Sequence, residues 1–105
     1  MAEGADKIKN ILKKYLAIII KNNIRIDKAY LFGSYAKGCA TEESDIDVAI
    51  ISPDFSGDRF DDRRRVVPLR RKIDRRLEPM PYHPENFKDT DPLVIEILQN
   101  GVEII

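Results

Sequence analysis

The sequence predicts a single α+β domain over residues 1–105, built as a small mixed β-sheet flanked by helices. Two observations predict this class. A helical periodicity of apolar side chains near the start of the chain is followed by short apolar segments that end at glycine or proline. A further helical segment separates the later strand segments, which gives the element order α-β-β-α-β-α-β. A chain of 105 residues is long enough to bury a core of its own.

The first predicted element is an amphipathic helix over residues 6–22, where apolar side chains recur every three or four residues. Asp6 is its predicted N-cap, and the pair Asn22–Asn23 is its predicted end. Residues 25–33 then form a predicted strand, because large apolar residues lead into a tight turn at Gly33. The apolar stripe of the helix is predicted to face the core through Ile8, Ile11, Leu12, Tyr15, Leu16 and Ile19.

A polar loop and a second strand come next. Residues 34–44 are mostly polar and contain Gly38, so we expect a loop with one helical turn after Ser34. Residues 45–51 form the second predicted strand, which becomes strongly apolar and ends at Ser52-Pro53.

The remaining elements are punctuated by proline. Residues 58–76 predict a helix with acids in its first turn and arginines towards its end, and Pro68 should kink or divide it. Residues 77–82 predict a third strand, at an edge or with an irregular course because it contains two prolines. Pro92 opens a last helix that runs to Asn100, and Val102 to Ile105 could add a short strand.

Composition excludes several classes of protein. The chain is 43% hydrophobic and 34% charged, which is typical of a soluble globular domain. Its longest apolar run, Leu16 to Ile20, is far too short to span a membrane. The charged N-terminus is unlike a signal peptide, and the single cysteine, Cys39, excludes an internal disulfide and a cysteine-rich metal site. A reducing, cytoplasmic setting is therefore expected.

The formal net charge of +0 conceals a basic segment. Residues 59–76 contain nine Lys or Arg residues and three acids, so this segment carries +6 and the rest of the chain carries −6. A solvated helix face is the ordinary interpretation, and a surface for a partner protein, RNA or nucleotide phosphates is the alternative. Direct nucleic-acid binding is not expected, because no interleaved aromatic residues indicate base stacking.

The most informative motif pairs a Gly-Ser turn with two aspartates. Ten residues separate Ser34 from Asp45, and Asp45-Ile-Asp-Val opens the second strand. Because alternate side chains of a strand share a face, Asp45 and Asp47 should point to the same side, roughly 7 Å apart. Two such carboxylates favour a cation between them, and Mg²⁺ prefers hard oxygen ligands. The sequence therefore predicts a magnesium site at these two aspartates.

The Gly-Ser turn itself suits a phosphate group. Gly33 has no side chain to prevent close approach of the backbone. Backbone N–H groups and the Ser34 hydroxyl could then hold the β- and γ-phosphates of a nucleotide. Lys37 is close enough in the sequence to add positive charge there.

The pattern apolar-Gly-Ser, ten residues, Asp-apolar-Asp-apolar resembles the signature of the DNA polymerase beta nucleotidyltransferase superfamily. The short chain and its ending, residues 92–101, resemble the minimal nucleotidyltransferase (MNT) branch of that superfamily. The resemblance implies a nucleotidyltransferase fold in which the Gly-Ser motif holds a nucleoside triphosphate and the paired acids bind two divalent ions. It also implies a third carboxylate on a later strand, acting as general base; Glu78 is our prediction and Asp74 the alternative.

The same resemblance implies a function. The expected reaction transfers a nucleoside monophosphate, AMP from ATP or the equivalent from another NTP, to an acceptor hydroxyl. In MNT relatives the acceptor is commonly a tyrosine on a helical HEPN toxin, so an antitoxin role and a homo- or hetero-oligomer are expected. The alternative is a non-catalytic antitoxin subunit that binds NTP–Mg²⁺ or only its partner. The position of the third carboxylate distinguishes the two hypotheses.

Overall fold

The computed structural model describes residues 4–105, so Glu3, part of the charged N-terminus, lies outside the described residues. The α+β prediction is confirmed. No helix among residues 4–105 is both long and apolar enough to cross a bilayer. In chain order the elements are α1 (Ala5–Lys21), β1 (Lys28–Phe32), the single turn α2 (Ser34–Lys37), β2 (Ile46–Ile51), α3 (Arg59–Val66), a 3-10 helix (Val67–Lys72), β3 (Leu77–Tyr82), a short 3-10 helix (Pro84–Asn86), α4 (Pro92–Asn100) and β4 (Val102–Glu103).

The four strands form one mixed sheet in the order β3-β2-β1-β4. Strand β1 is antiparallel to both β2 and β4, whereas β2 is parallel to β3. The register places Asp47 beside Phe32 on one side and beside Glu78 on the other. The predicted mixed sheet is therefore confirmed, and its central strands bring the predicted site residues together.

Helices cover the two faces of this sheet. The apolar stripe of α1 packs on one face, where Tyr15 also donates a hydrogen bond from its hydroxyl to the Val66 carbonyl oxygen at 2.6 Å. Helix α4 covers the other face through Val94 and Ile97. Because side chains alternate along a strand, Asp47 projects from the α4 side of the sheet.

Two predicted elements are shorter or more divided than expected. The predicted helix over 58–76 begins after the N-cap Asp58 but stays α-helical only to Val66, and a 3-10 helix continues it. Pro68 lies at the start of that 3-10 helix, as expected of a residue that lacks an N–H group and disrupts the α-helical ladder. The first strand covers only residues 28–32, since Arg25 instead binds the Asp54 carboxylate at 2.8 Å.

Strand β3 is an edge strand, which confirms the first of the two alternatives that its prolines predicted. The carbonyl oxygens of Arg76 and Tyr82 accept hydrogen bonds from the neighbouring chain segment of β2, so the even-numbered residues bond inwards. Pro79, at an odd position, has its backbone on the free edge, where a missing N–H group costs no ladder hydrogen bond. Arginine side chains cover this edge: Arg63 donates to the Pro79 carbonyl oxygen at 2.8 Å, and Arg70 donates to that of Leu77 at 2.9 Å.

Candidate active site

Asp47 has two acidic neighbours, Asp45 and Glu78, at the beginning of the two parallel strands. Asp47 and Glu78 are direct partners in the register of β2 and β3, so their side chains leave the same face of the sheet. Asp45 is exposed and comes immediately before β2, two residues from Asp47. Strand alternation predicted that the aspartates share a side. The parallel pairing that adds Glu78 follows only from the fold.

The electrostatics of Asp47 show that these negative charges are close to one another. Burial raises the pKa of Asp47 to about 6, and the charges of Asp45 and Glu78 act in the same direction. A raised pKa means that no positive group of the folded protein offsets the negative charge of the ionised Asp47 carboxylate. A cation bound beside Asp47 would therefore interact favourably with it.

The Gly-Ser turn lies directly against Asp47. Gly33 has a φ of 73°, in the left-handed region that favours glycine, and a Cβ at this position would collide with the Asp47 carboxylate. The next residue, Ser34, begins the single turn α2. The fold thus brings the predicted phosphate-binding turn and the predicted metal-binding aspartate into contact.

Two arginines that the sequence did not predict as site residues hold Glu78. Arg63 Nη2 lies 2.6 Å from one carboxylate oxygen of Glu78, and Arg70 Nη1 lies 3.6 Å from the other. The Glu78 side chain keeps 34% of its surface exposed. The basic composition of residues 59–76 was the only sequence signal for this contact, and it did not single out these two positions.

The other two predicted residues have partners of their own. Lys37 Nζ forms an ion pair with Glu96 Oε1 at 2.7 Å, which joins α2 to α4. The hydrogen bond that Lys37 donates to Glu96 lowers the pKa of the Glu96 carboxyl. Asp74 accepts hydrogen bonds from Arg76, the shortest at 2.7 Å, and these lower the pKa of Asp74. Asp74 therefore belongs to the turn before β3, whereas Glu78 lies beside Asp47.

The donor set fits a divalent cation at the two aspartates. Asp45 and Asp47 offer hard oxygen ligands, and an ion there would fill its remaining positions with water or phosphate oxygens. In the part of the chain that the structure describes, no group of three or more His, Cys, Asp or Glu side chains is placed to hold a metal ion. Glu78 is held by Arg63, so its carboxylate would have to leave that arginine before it could become a third metal ligand.

A mixed sheet with a Gly-Ser turn packed against Asp47 is the arrangement that the sequence resemblance led us to expect of a nucleotidyltransferase domain. Comparison of the sequence with known families agrees with this class. The chain belongs to the nucleotidyltransferase domain family, whose model matches residues 6–104.

Individual relatives support the same assignment. A candidate protein adenylyltransferase of Methanocaldococcus jannaschii is 36% identical over 67 residues, and the match covers 64% of this chain and 66% of that relative, just under two thirds of its length. The crystal structure of a candidate nucleotidyltransferase from Sulfolobus solfataricus superposes with a TM-score of 0.67 at 18% identity, covering 98% of this chain and 89% of the other. A toxin–antitoxin crystal structure with AMP-PNP gives a TM-score of 0.63 at 21% identity, covering 92% of this chain and 72% of the other. At these identities the two crystal structures establish a shared fold.

Proposed function

We propose that this protein transfers a nucleoside monophosphate, AMP from ATP, to a hydroxyl group of an acceptor. One observation carries the proposal: the Gly33-Ser34 turn packs against Asp47, and Asp45 and Glu78 place two more negative charges beside it. This arrangement combines a glycine turn whose backbone a phosphate can approach with ligands for a divalent cation. Membership of the nucleotidyltransferase family supports it.

In the proposed reaction the acceptor oxygen attacks the α-phosphorus, and the bond from that phosphorus to the bridging oxygen of the β-phosphate breaks. Pyrophosphate leaves, and the proton of the acceptor hydroxyl passes to a carboxylate, for which Glu78 is our candidate. Asp45 and Asp47 would hold Mg²⁺, with two ions expected from the family resemblance. When bound there, Mg²⁺ would neutralise charge on the phosphate oxygens and lower the pKa of the acceptor hydroxyl.

The residues of the Gly-Ser turn would hold the remaining phosphates. Gly33 lets the backbone approach the β- and γ-phosphates, and the Ser34 hydroxyl can donate a hydrogen bond to them. Lys37 adds a positive charge only if it leaves Glu96, its partner in the present structure. Because both side chains of that ion pair are substantially exposed, the exchange costs little free energy.

The similarity to a candidate protein adenylyltransferase supports ATP as the donor and a protein as the acceptor. The toxin–antitoxin fold neighbour supports a partner protein. We propose a tyrosine on a HEPN-type toxin as the acceptor, with this chain as the antitoxin, and assembly of the two proteins into a hetero-oligomer.

The second candidate function is that of a non-catalytic antitoxin subunit that binds a nucleotide or only its partner. The two arginine contacts of Glu78 favour it, because they occupy the carboxylate that the reaction requires as a base. The two candidates differ in turnover: only the first predicts that the nucleotide is transferred to the acceptor, with Glu78 free to accept the proton of the hydroxyl.

Labelled ATP separates these candidates. The protein is incubated with Mg²⁺, the product of the neighbouring gene and ATP labelled at either the α- or the γ-phosphate. Nucleotidyl transfer predicts label on the partner from α-labelled ATP alone, and loss of that label in Asp45→Asn. The matched control is Asp89→Asn, which removes the same charge from an exposed turn. A stable but unlabelled complex would contradict the enzyme and favour the binding subunit.

A further inference from the structure

The exposed side of α3 and the following 3-10 helix forms a groove. A hollow of about 380 Å³ is lined by Phe60, Val67, Pro68 and two arginines of α3. A second hollow, of about 520 Å³, is lined by Val67, Pro68 and three further arginines. Because Val67 and Pro68 line both, the two hollows are adjacent, and we call this grooved surface the arginine face: Phe60, Arg64, Val67, Pro68, Arg71 and Arg75.

The charge on this face is only partly balanced locally, because Arg64 forms an ion pair with Asp61 at 3.2 Å. No acidic side chain lines either hollow. Arg71 and Arg75 are exposed, and neither forms an ion pair with any residue between 4 and 105. The segment 59–76 carries +6 in a chain whose net charge is +0. An occupant of the groove must therefore be anionic to match it.

The face is also apolar at its centre. Phe60 is 70% exposed, the largest exposed fraction of any large hydrophobic residue among residues 4–105, and the Arg64 guanidinium lies 4.8 Å from its ring centroid. Val67 and Pro68 extend the apolar strip between the two hollows. Aromatic and arginine side chains together are typical of the centres of protein–protein interfaces. An RNA backbone would make no favourable contact with the apolar Val67 and Pro68. The Arg64 guanidinium lies over the Phe60 ring, so this ring is not free to stack on a base.

The groove leads to the candidate active site. Arg63 lines the first hollow and Arg70 the second, and both also reach the Glu78 carboxylate. Glu78 itself lines neither hollow, so these two arginines are what connects the groove to the candidate base. Strand β3 lies at the edge of the sheet, whereas the Gly-Ser turn follows the inner strand β1.

We propose that the arginine face docks an acidic protein segment with apolar side chains, and that this segment presents the acceptor hydroxyl to the site. The second part rests on the function proposed above, whereas the docking itself does not. Docking would also draw Arg63 and Arg70 towards the acidic segment and away from Glu78. The arginine face therefore specifies the kind of partner and couples its binding to the release of the candidate base.

A copolymer of glutamate and tyrosine is a suitable probe, since it is acidic, partly apolar and rich in hydroxyl groups. Its binding is followed by fluorescence anisotropy without ATP or Mg²⁺. The double variant Arg71→Gln/Arg75→Gln should weaken binding about tenfold, because two unpaired cations are removed from the groove. The control Lys13→Gln/Lys14→Gln removes the same charge from exposed positions of α1 and should change binding less than about twofold. Equal effects of the two double variants would overturn the proposal.

Two further measurements separate this docking from other occupants and from the reaction. A single-stranded RNA of matched length that binds as tightly, and loses affinity in the same variant, would overturn the protein partner. The free protein could instead sediment as a dimer that Arg71→Gln/Arg75→Gln converts to a monomer. That result would assign the arginine face to a second copy of this chain and overturn the proposal. If the copolymer binds as predicted but never receives label from α-labelled ATP, the docking surface stands and the proposed transfer to it fails.

Discussion

Replacing Asp47 by asparagine should stabilise the folded protein at neutral and alkaline pH. Burial and the neighbouring acids raise the pKa of Asp47 from an ordinary value of 3.8 to about 6. The difference between these values corresponds to about 3 kcal/mol of unfavourable interaction for the ionised form. Because Asp47 is only half-buried, solvent screening should reduce this unfavourable interaction to about 1–2 kcal/mol. An asparagine side chain at this position would keep the shape of the aspartate without its charge.

The pH dependence follows from the sign of the shift. Below about pH 4 the carboxyl is neutral in both the folded and unfolded states, so the charge costs nothing. Between about pH 4 and pH 6 the unfolded state releases its proton first, and the wild-type protein loses stability as the pH rises. Above about pH 6 the loss is complete. Asp47→Asn should therefore exceed the wild type by about 1–2 kcal/mol at pH 8 and by little at pH 4.

Urea unfolding at both pH values measures this difference directly, and thermal unfolding should show a rise of several degrees at pH 8, at about 4–8 °C per kcal/mol for a domain of this size. Mg²⁺ should reduce the gap by stabilising the wild type alone. A variant that is less stable than the wild type at pH 8, or that differs from it equally at both pH values, would refute the reasoning.

Two further predictions concern the groups around this aspartate. Gly33→Ala should abolish nucleotide binding in a calorimetric titration with ATP–Mg²⁺, because the new Cβ collides with the Asp47 carboxylate. Gly38 has a similar φ of 75° but open space around it. Gly38→Ala should therefore keep nucleotide binding and lower the free energy of unfolding in urea by only about 1–2 kcal/mol. Equal binding losses in the two alanine variants would contradict this. Arg63→Gln should tighten Mn²⁺ binding to the nucleotide-free protein several-fold by releasing Glu78, whereas Arg64→Gln, which removes the same charge one residue later, should not. Weaker Mn²⁺ binding in Arg63→Gln would show that the arginine positions the carboxylate rather than withholding it.

Much of the site could be predicted because it depends on local chemistry. The alternation of a strand is enough to put Asp47 on one face and the apolar Ile46 and Val48 on the other, in the core. A glycine that ends an apolar strand is enough to predict the tight turn at Gly33, although its φ of 73° is known only from the structure. Prolines in a strand are enough to narrow β3 to an edge position or an irregular course, and the structure has it at the edge.

The rest depends on contacts between distant parts of the chain. That Glu78 lies beside Asp47 depends on the parallel register of β2 and β3, which no pattern within either strand determines. That Arg63 reaches Glu78 depends on α3 packing along the free edge of β3. The basic composition of the segment was evident from the sequence, but composition alone does not distinguish an arginine that binds the site from one that faces solvent.

The central claim is that Asp45 and Asp47 form a divalent-cation site beside the Gly33-Ser34 turn. Paramagnetic Mn²⁺, added in small amounts to ¹⁵N-labelled protein, broadens the amide resonances nearest to the bound ion and so locates it. If the ion binds at these two aspartates, the amides of Gly33, Ser34 and residues 45–47 broaden first, and Asp45→Asn/Asp47→Asn removes the effect. Broadening centred elsewhere on the protein, unchanged in that double variant, would show that the cation does not bind there.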